Sequence, residues 1–165
     1  MKNIFLVLLL SLGSLVAQTE TTECKDLVKS VYGEEYDSLD EYTPWYSYKC
    51  ALEKAKKEKK HIFVMFSRKG CEACWYMKNV ILKNDDDLLE KLNKNFIMVY
   101  IEKNSKEDMD GVPKSLRYIA GPTFYFLKSD GSRVDAIYNF RKKKGVLVGA
   151  ENSQDFTLSL NKALK

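Results

Sequence analysis

The chain has 165 residues, of which 45% are hydrophobic and 12% aromatic, enough for one domain with a core of its own and too few for a second full one. Its net charge of +4 is too mild to imply nucleic acid. The densest basic run, Arg-Lys-Lys-Lys at 141–144, reads as a solvated turn or a charge-protected strand edge and is assigned no partner.

The amino terminus carries one charge at Lys2, an apolar stretch from Ile4 to Leu12, then small and polar residues ending near Ala17. Residues 1–17 have the form of a cleaved secretory signal. The competing reading, an uncleaved anchor, is disfavoured because the apolar run is far shorter than the roughly 20 residues that span a bilayer. Gln18 is not the cysteine that lipid attachment would need. The expectation is a protein that is soluble after cleavage and exported, most simply into a bacterial periplasm. All four cysteines, Cys24, Cys50, Cys71 and Cys74, follow the cleavage point, and an even count in an exported chain fits disulfide chemistry.

Residues 18–43 are polar and acidic and read as an N-terminal extension, disordered at Thr19–Glu23 with a short helix over Cys24–Tyr32. A single domain is expected over 44–165. Trp45, Tyr48, Leu52 and Ala55 lie three and four residues apart, one apolar stripe of a helix whose other face is rich in lysine. The run His61–Ser67 is apolar, β-branched and aromatic, as in a strand buried on both faces. A turn at 68–70 leads into a helix from Cys71 to about Val80, and a second helix is expected over 85–95, with aspartates at its positive end. Phe96–Glu102 repeats the buried-strand pattern, 103–111 is a polar loop, and Pro113 opens a short helix over 113–119. Residues 122–128 form a third strand. The Ser-Asp-Gly turn at 129–131 then predicts an antiparallel partner over 132–140. A last helix starts with Ser153 as N-cap and buries Phe156, Leu160 and Ala163. Strands separated by helices predict parallel pairing with helices on the sheet faces, and the closing hairpin adds an antiparallel edge.

The pair Cys71-Glu-Ala-Cys74 sits directly after a strand, at the start of a helix. Free N–H groups and the positive dipole end there stabilise a thiolate on Cys71, and Cys74 is placed to resolve a mixed disulfide. Arg68 and Lys69 add positive charge, and Glu72 opposes it. Three other readings stand beside redox chemistry. Zinc needs four ligands, and C-x25-C-x20-C-x2-C lacks a second close pair, with His61 as a spare donor. Haem attachment needs histidine at position 75, which is Trp75. A purely structural disulfide over so short a loop is strained. No metal and no cofactor are expected.

The strand, the cysteine helix, a further strand and the Gly-Pro-Thr strand with its hairpin together resemble the thioredoxin superfamily from about residue 45 to residue 165. The motifs carrying this are HIFVMFSRKGCEAC at 61–74 and AGPTFYF at 120–126. They are most similar to exported thioredoxin-like proteins related to the C-terminal domain of the transmembrane disulfide reductase. A second likeness, to non-enzymatic secretory-pathway members with one active-site cysteine, is weakened by the presence of both cysteines. The resemblance implies an α/β thioredoxin fold, a central mixed sheet of about four strands flanked by helices. It implies Cys71 as nucleophile and Cys74 as resolving thiol. It also implies a cis Gly121–Pro122 bond beside Cys71, and a loop of Gly121, Pro122 and Thr123 that binds a client segment as an added strand. Gly121, lacking a side chain, would leave that groove open. Partners would be cysteine-containing client proteins and a membrane or exported redox partner, with the chain a monomer.

Two positions depart from the family pattern. Gly70 stands where thioredoxins carry tryptophan, and Met65, a core residue, stands where they bury an aspartate. The proton of Cys74 therefore needs another acceptor. Glu72 and Ala73 match neither the reducing nor the oxidising members, which leaves the direction of exchange open and favours a reductase or isomerase type over a strong oxidant. The alternative is a redox-inert binding or chaperone module on the same fold. A Cys24–Cys50 disulfide would staple the extension to the first helix, contributing about 3 kcal/mol if unstrained; a second relay pair is the other reading. His61 is expected at a surface or edge. Trp45, Trp75 and Tyr76 are expected in the core, with a peptide-binding floor as the alternative.

Overall fold

Two apolar seven-residue runs, His61–Ser67 and Phe96–Glu102, form the centre of the sheet because nearly every side chain in them is buried, whichever face it points to. The computed structural model describes residues 44–135 and 145–165. In chain order the elements are β1 (Trp45–Tyr46), α1 (Tyr48–Glu58), β2 (His61–Ser67) and α2 (Glu72–Tyr76), which continues as a π-helical segment (Met77–Leu82). Then follow α3 (Asp86–Asn95), β3 (Phe96–Glu102), β4 (Thr123–Leu127), β5 (Leu147–Val148) and α4 (Ser153–Ala163). The sheet order is β1-β3-β2-β4-β5. β1 and β2 lie parallel to β3, whereas β4 runs antiparallel to both β2 and β5.

The two-residue alternation of the strands divides the core into two layers. Phe63, Met65, Met98, Tyr100, Phe124 and Phe126 face α3 and α4. Ile62, Val64, Phe66, Ile97, Val99 and Tyr125 face α1. Phe156 of α4 meets Phe63, Phe124 and Phe126 with ring centroids 5.7, 5.4 and 6.0 Å away, within the range of favourable aromatic pairing.

Several expectations change here. Trp45 is not in the first helix: it lies in β1, paired with Met98, and packs on Phe63 and Tyr100 at 6.3 and 5.8 Å. Ser47 is extended (φ −64°, ψ 157°) and breaks the apparent helical stripe. Trp45 thus enters one core layer, while Tyr48, Ala51 and Ala55 enter the other. Among the described residues the sheet has five strands, because β1 and β5, neither of them expected, join the three apolar runs. β4, expected parallel, is antiparallel. Its connection from β3 carries no crossover helix, so the chain re-enters the sheet at the end it left, Thr123 opposite Phe66.

No helix forms over 113–119. The Tyr125 hydroxyl donates to the Arg117 carbonyl (2.8 Å), and Thr123 Oγ1 accepts from the N–H groups of Ile119 and Ala120 (3.1 and 3.2 Å). Side chains thus take backbone groups that a helix would have paired. The strand expected over 132–140 begins as a single bridge, Leu127 to Arg133. Residues 136–144, including the basic run, lie outside the described residues, as do the signal and the extension. Cys50 is buried on α1 and is not a free thiol; the Cys24 end of the expected staple lies outside the described residues. Among those residues no helix is long and apolar enough to cross a membrane, and no three His, Cys, Asp or Glu side chains gather to hold a metal.

The N-cap of α4 is Asn152, not Ser153: Asn152 Oδ1 accepts from the Asp155 N–H at 2.9 Å. The Ser153 hydroxyl instead donates to Asp85, whose other oxygen caps α3 by accepting from the Leu88 N–H at 3.0 Å. One carboxylate therefore ties two helix starts together. Asp85→Ala is expected to lower stability by about 1–2 kcal/mol in chemical denaturation, and Ser153→Ala by less, since it leaves the α3 cap intact.

Candidate functional site

β2 delivers the chain to the C-terminal edge of the sheet, and Gly70, at φ +66°, supplies the left-handed residue that turns it into α2. Cys71 is the N-cap of α2: its Sγ accepts from the Cys74 N–H at 3.1 Å, and its carbonyl accepts from the N–H groups of Cys74 and Trp75, each at 3.0 Å. The two cysteines form a disulfide with Cα atoms 5.2 Å apart. Cys71 is half-buried and Cys74 only 4% exposed, an outer cysteine and an inner one.

The helix after the pair is not uniform, as expected from sequence, but turns π-helical at Met77. Within this segment the Asn79 side-chain amide donates to the Trp75 carbonyl at 3.0 Å, a side-chain bond to the preceding turn of backbone. Trp75 and Tyr76 are 63% and 42% exposed, contrary to the core placement expected for them; Trp45 alone of the three is core.

Across from α2, the Gly121–Pro122 bond is cis. A Cβ on Gly121 would lie 2.5 Å from Cys71 Sγ, 3.1 Å from Cys74 Sγ and 3.0 Å from the Tyr118 hydroxyl. Gly121 and Pro122 are thus brought to the cysteine pair. Thr123 is fully buried and its hydroxyl donates to the Ala120 carbonyl at 2.6 Å, so its side chain pins the loop from within. Lys103 sits 4.7 Å from the Tyr118 ring centroid, holding that ring by a cation–π contact.

Behind the pair, on the β3 side, a cleft of about 480 Å³ is lined by Cys71, Cys74, Trp75 and Lys78 and reaches Tyr100 and Glu102. Burial, reinforced by the neighbouring Asp108 carboxylate, pushes the Glu102 carboxyl above its ordinary range against hydrogen bonds from the Asn104 and Lys69 N–H groups. Neither Glu102 nor Tyr118 stood out in the sequence. The one trace of Glu102 was a charged residue closing an otherwise apolar strand. Met65 is fully buried core. His61 is half-buried at the opposite end of β2, 5.6 Å from the Phe96 ring, and its pKa is held down by burial and by Lys128. It begins a central strand, not an edge, and takes no part in the site.

An N-capping cysteine pair faced by a cis-proline loop, on a mixed sheet with helices on both faces, is the arrangement of a thioredoxin-like protein. The chain belongs to the thioredoxin-like family, whose model matches residues 44–129. A thioredoxin from Thermus thermophilus has 22% identity and a TM-score of 0.56, over 73% of this chain and 85% of that one. The oxidised C-terminal domain of Neisseria meningitidis DsbD has 20% identity and a TM-score of 0.52, over 70% of this chain and 91% of that one. A DsbH oxidoreductase has 17% identity and a TM-score of 0.52, over 73% of this chain and 83% of that one. These likenesses are of fold. Mouse spermatogenesis-associated protein 20 is 35% identical over 77 residues, 47% of this chain but only 9% of that protein; the chain spans under a tenth of the length of this curated relative.

Proposed function

We propose that this protein is an exported thiol–disulfide oxidoreductase that exchanges disulfides with cysteine-containing client proteins. The observation that carries this reading is the asymmetry of the pair: a half-buried Cys71 at a helix start, a buried Cys74 behind it, and Gly121 beside both sulfurs. Cys71 is the nucleophile and Cys74 resolves the mixed disulfide. Gly121 and Pro122 present the client-binding loop, and Thr123, fully buried and paired with both β2 and β5, holds it in place and does not face the client. The Pro122 carbonyl is taken by the Gly149 N–H at 2.8 Å, whereas the Gly121 N–H and carbonyl enter no hydrogen bond among the described residues and are available to an added strand.

The direction we infer is reduction or isomerisation. A strong oxidant needs a heavily stabilised thiolate in its reduced form. Here the carboxylates of Glu72 and Glu102 share the cleft with Arg68, Lys69 and Lys78, so the field at Cys71 is not one-sidedly positive. Equilibration of the pair against glutathione tests this. A potential near about −270 mV supports a reductase, and one near −120 mV overturns that direction. A pair that exchanges with no protein disulfide would leave a redox-inert binding module. Export rests on the leader-like pattern of residues 1–17; cell fractionation should find the shortened chain in the periplasm, together with a membrane or exported redox partner.

A further inference from the structure

We propose that Glu102 is the proton acceptor for the Cys74 thiol, acting across the cleft that both residues line; this rests on the exchange reading above. Resolution of a mixed disulfide requires Cys74 to lose a proton, yet Cys74 is only 4% exposed, and the cleft it shares with Glu102 is where that proton can leave. β2 offers no acid, since its residue nearest this role is the fully buried Met65. The parallel register of β2 and β3 sets Glu102 opposite Ser67, the last residue before the turn into the cysteines. Glu102 is also 4% exposed, its Oε1 is buried without a hydrogen-bond partner, and the residue lines the same cleft as Cys71 and Cys74.

The Asn104 and Lys69 backbone N–H groups favour the charged form of this carboxylate, which places it beside the turn before Cys71. Its surroundings are mixed. The Asp108 carboxylate accepts the Glu102 N–H at 2.8 Å, and Lys103 follows in the chain. Arg68, Lys69, Lys78 and Glu72 line the cleft. Burial raises the carboxyl toward the range where a base works best near neutral pH. Among the described residues one other carboxyl, Glu151, has a buried unpaired oxygen, but it sits where its N–H meets Met77 Sδ and is not part of the cleft.

The step balances as follows. In the mixed disulfide, Cys71 Sγ is bonded to a client sulfur. The Glu102 carboxylate takes the proton from Cys74, whose thiolate attacks Cys71 Sγ. The Cys71–Cys74 bond forms as the bond to the client breaks. The client sulfur leaves with the electron pair and is protonated from solvent, and Glu102 returns its proton to water through the cleft mouth. The cysteine pair is oxidised by two electrons and the client disulfide is reduced.

The experiment follows release of thionitrobenzoate from a Cys71 mixed disulfide in the full chain, across pH. In Glu102→Gln, release is expected to slow about tenfold or more near pH 7 and to converge with the wild type at alkaline pH, where Cys74 ionises unaided. Glu151→Gln should release as the wild type does. A wild-type rate and pH profile in Glu102→Gln overturns the proposal, and so does an equal slowing at every pH, the mark of a merely structural role. If Glu102→Gln does not fold, Glu102→Asp carries the test: a displaced pH profile supports the proposal and an unchanged one overturns it. Reduction of a protein disulfide is assayed separately, so a wild type that releases thionitrobenzoate yet reduces no protein overturns the client reading while the Glu102 result still stands.

Discussion

Cys71→Ser is expected to lower reduction of a protein disulfide to the uncatalysed background, and Cys74→Ala to halt it one step later with the client still attached. The two outcomes differ because the sulfurs occupy different environments. Cys71 is half-buried at the helix start, where its Sγ already accepts the Cys74 N–H; a serine hydroxyl fits there but does not ionise near neutral pH and attacks no disulfide. Cys74 lies within α2 and is buried, bonded to Cys71 Sγ in the oxidised pair and closed to a bulky client. Its loss leaves the first attack intact and removes the intramolecular thiol that would displace the client. Non-reducing electrophoresis should therefore show client adducts with Cys74→Ala and none with Cys71→Ser or the double variant. Adducts of equal abundance on Cys71→Ser would reverse the assigned roles.

What was legible in the sequence follows from how local each signal is. The two central strands are continuous apolar runs bounded by polar residues, and they lie where the pattern puts them. The cysteine helix was readable because capping and spacing are properties of a few consecutive residues. Trp45 misled because its spacing to Tyr48 suits a helix equally well, and only the pairing with Met98 reveals a strand. The segment 113–119 misled for a related reason: Thr123 and Tyr125, several residues later, claim its backbone groups. Asn152 and Ser153 are both good caps, and the contact with Asp85 decides between them. Glu102 belongs to the same class. Its meaning depends on the β2–β3 register and on a cleft between three elements, neither of which a single sequence encodes locally.

Gly121→Ala should make the disulfide form less stable relative to the dithiol form, and so make the pair more oxidising. Gly121 is not in the left-handed region, so its backbone accepts alanine; the conflict is one of space. The new methyl would lie 2.5 Å from Cys71 Sγ and 3.1 Å from Cys74 Sγ, inside the contact distance of carbon and sulfur. In the oxidised protein neither sulfur is free to turn away, because each is bonded to the other. The loop cannot easily yield either. Thr123 Oγ1 holds it from within through Ile119 and Ala120, and the Pro122 carbonyl is bonded to Gly149. In the reduced protein the sulfurs are no longer bonded to each other and each is free to turn to another staggered rotamer, which should relieve much of the conflict. Overpacking of this kind costs about 1–3 kcal/mol. Borne mainly by the oxidised form, that corresponds to a rise in potential of about 20–60 mV for a two-electron couple. Client exchange should slow as well, since the methyl stands where an incoming sulfur must approach Cys71. Redox titration beside thermal melts of both forms checks this: equal potentials for variant and wild type, with equal melting shifts in the two forms, would mean that the loop yields and that Gly121 does not set the space at the pair.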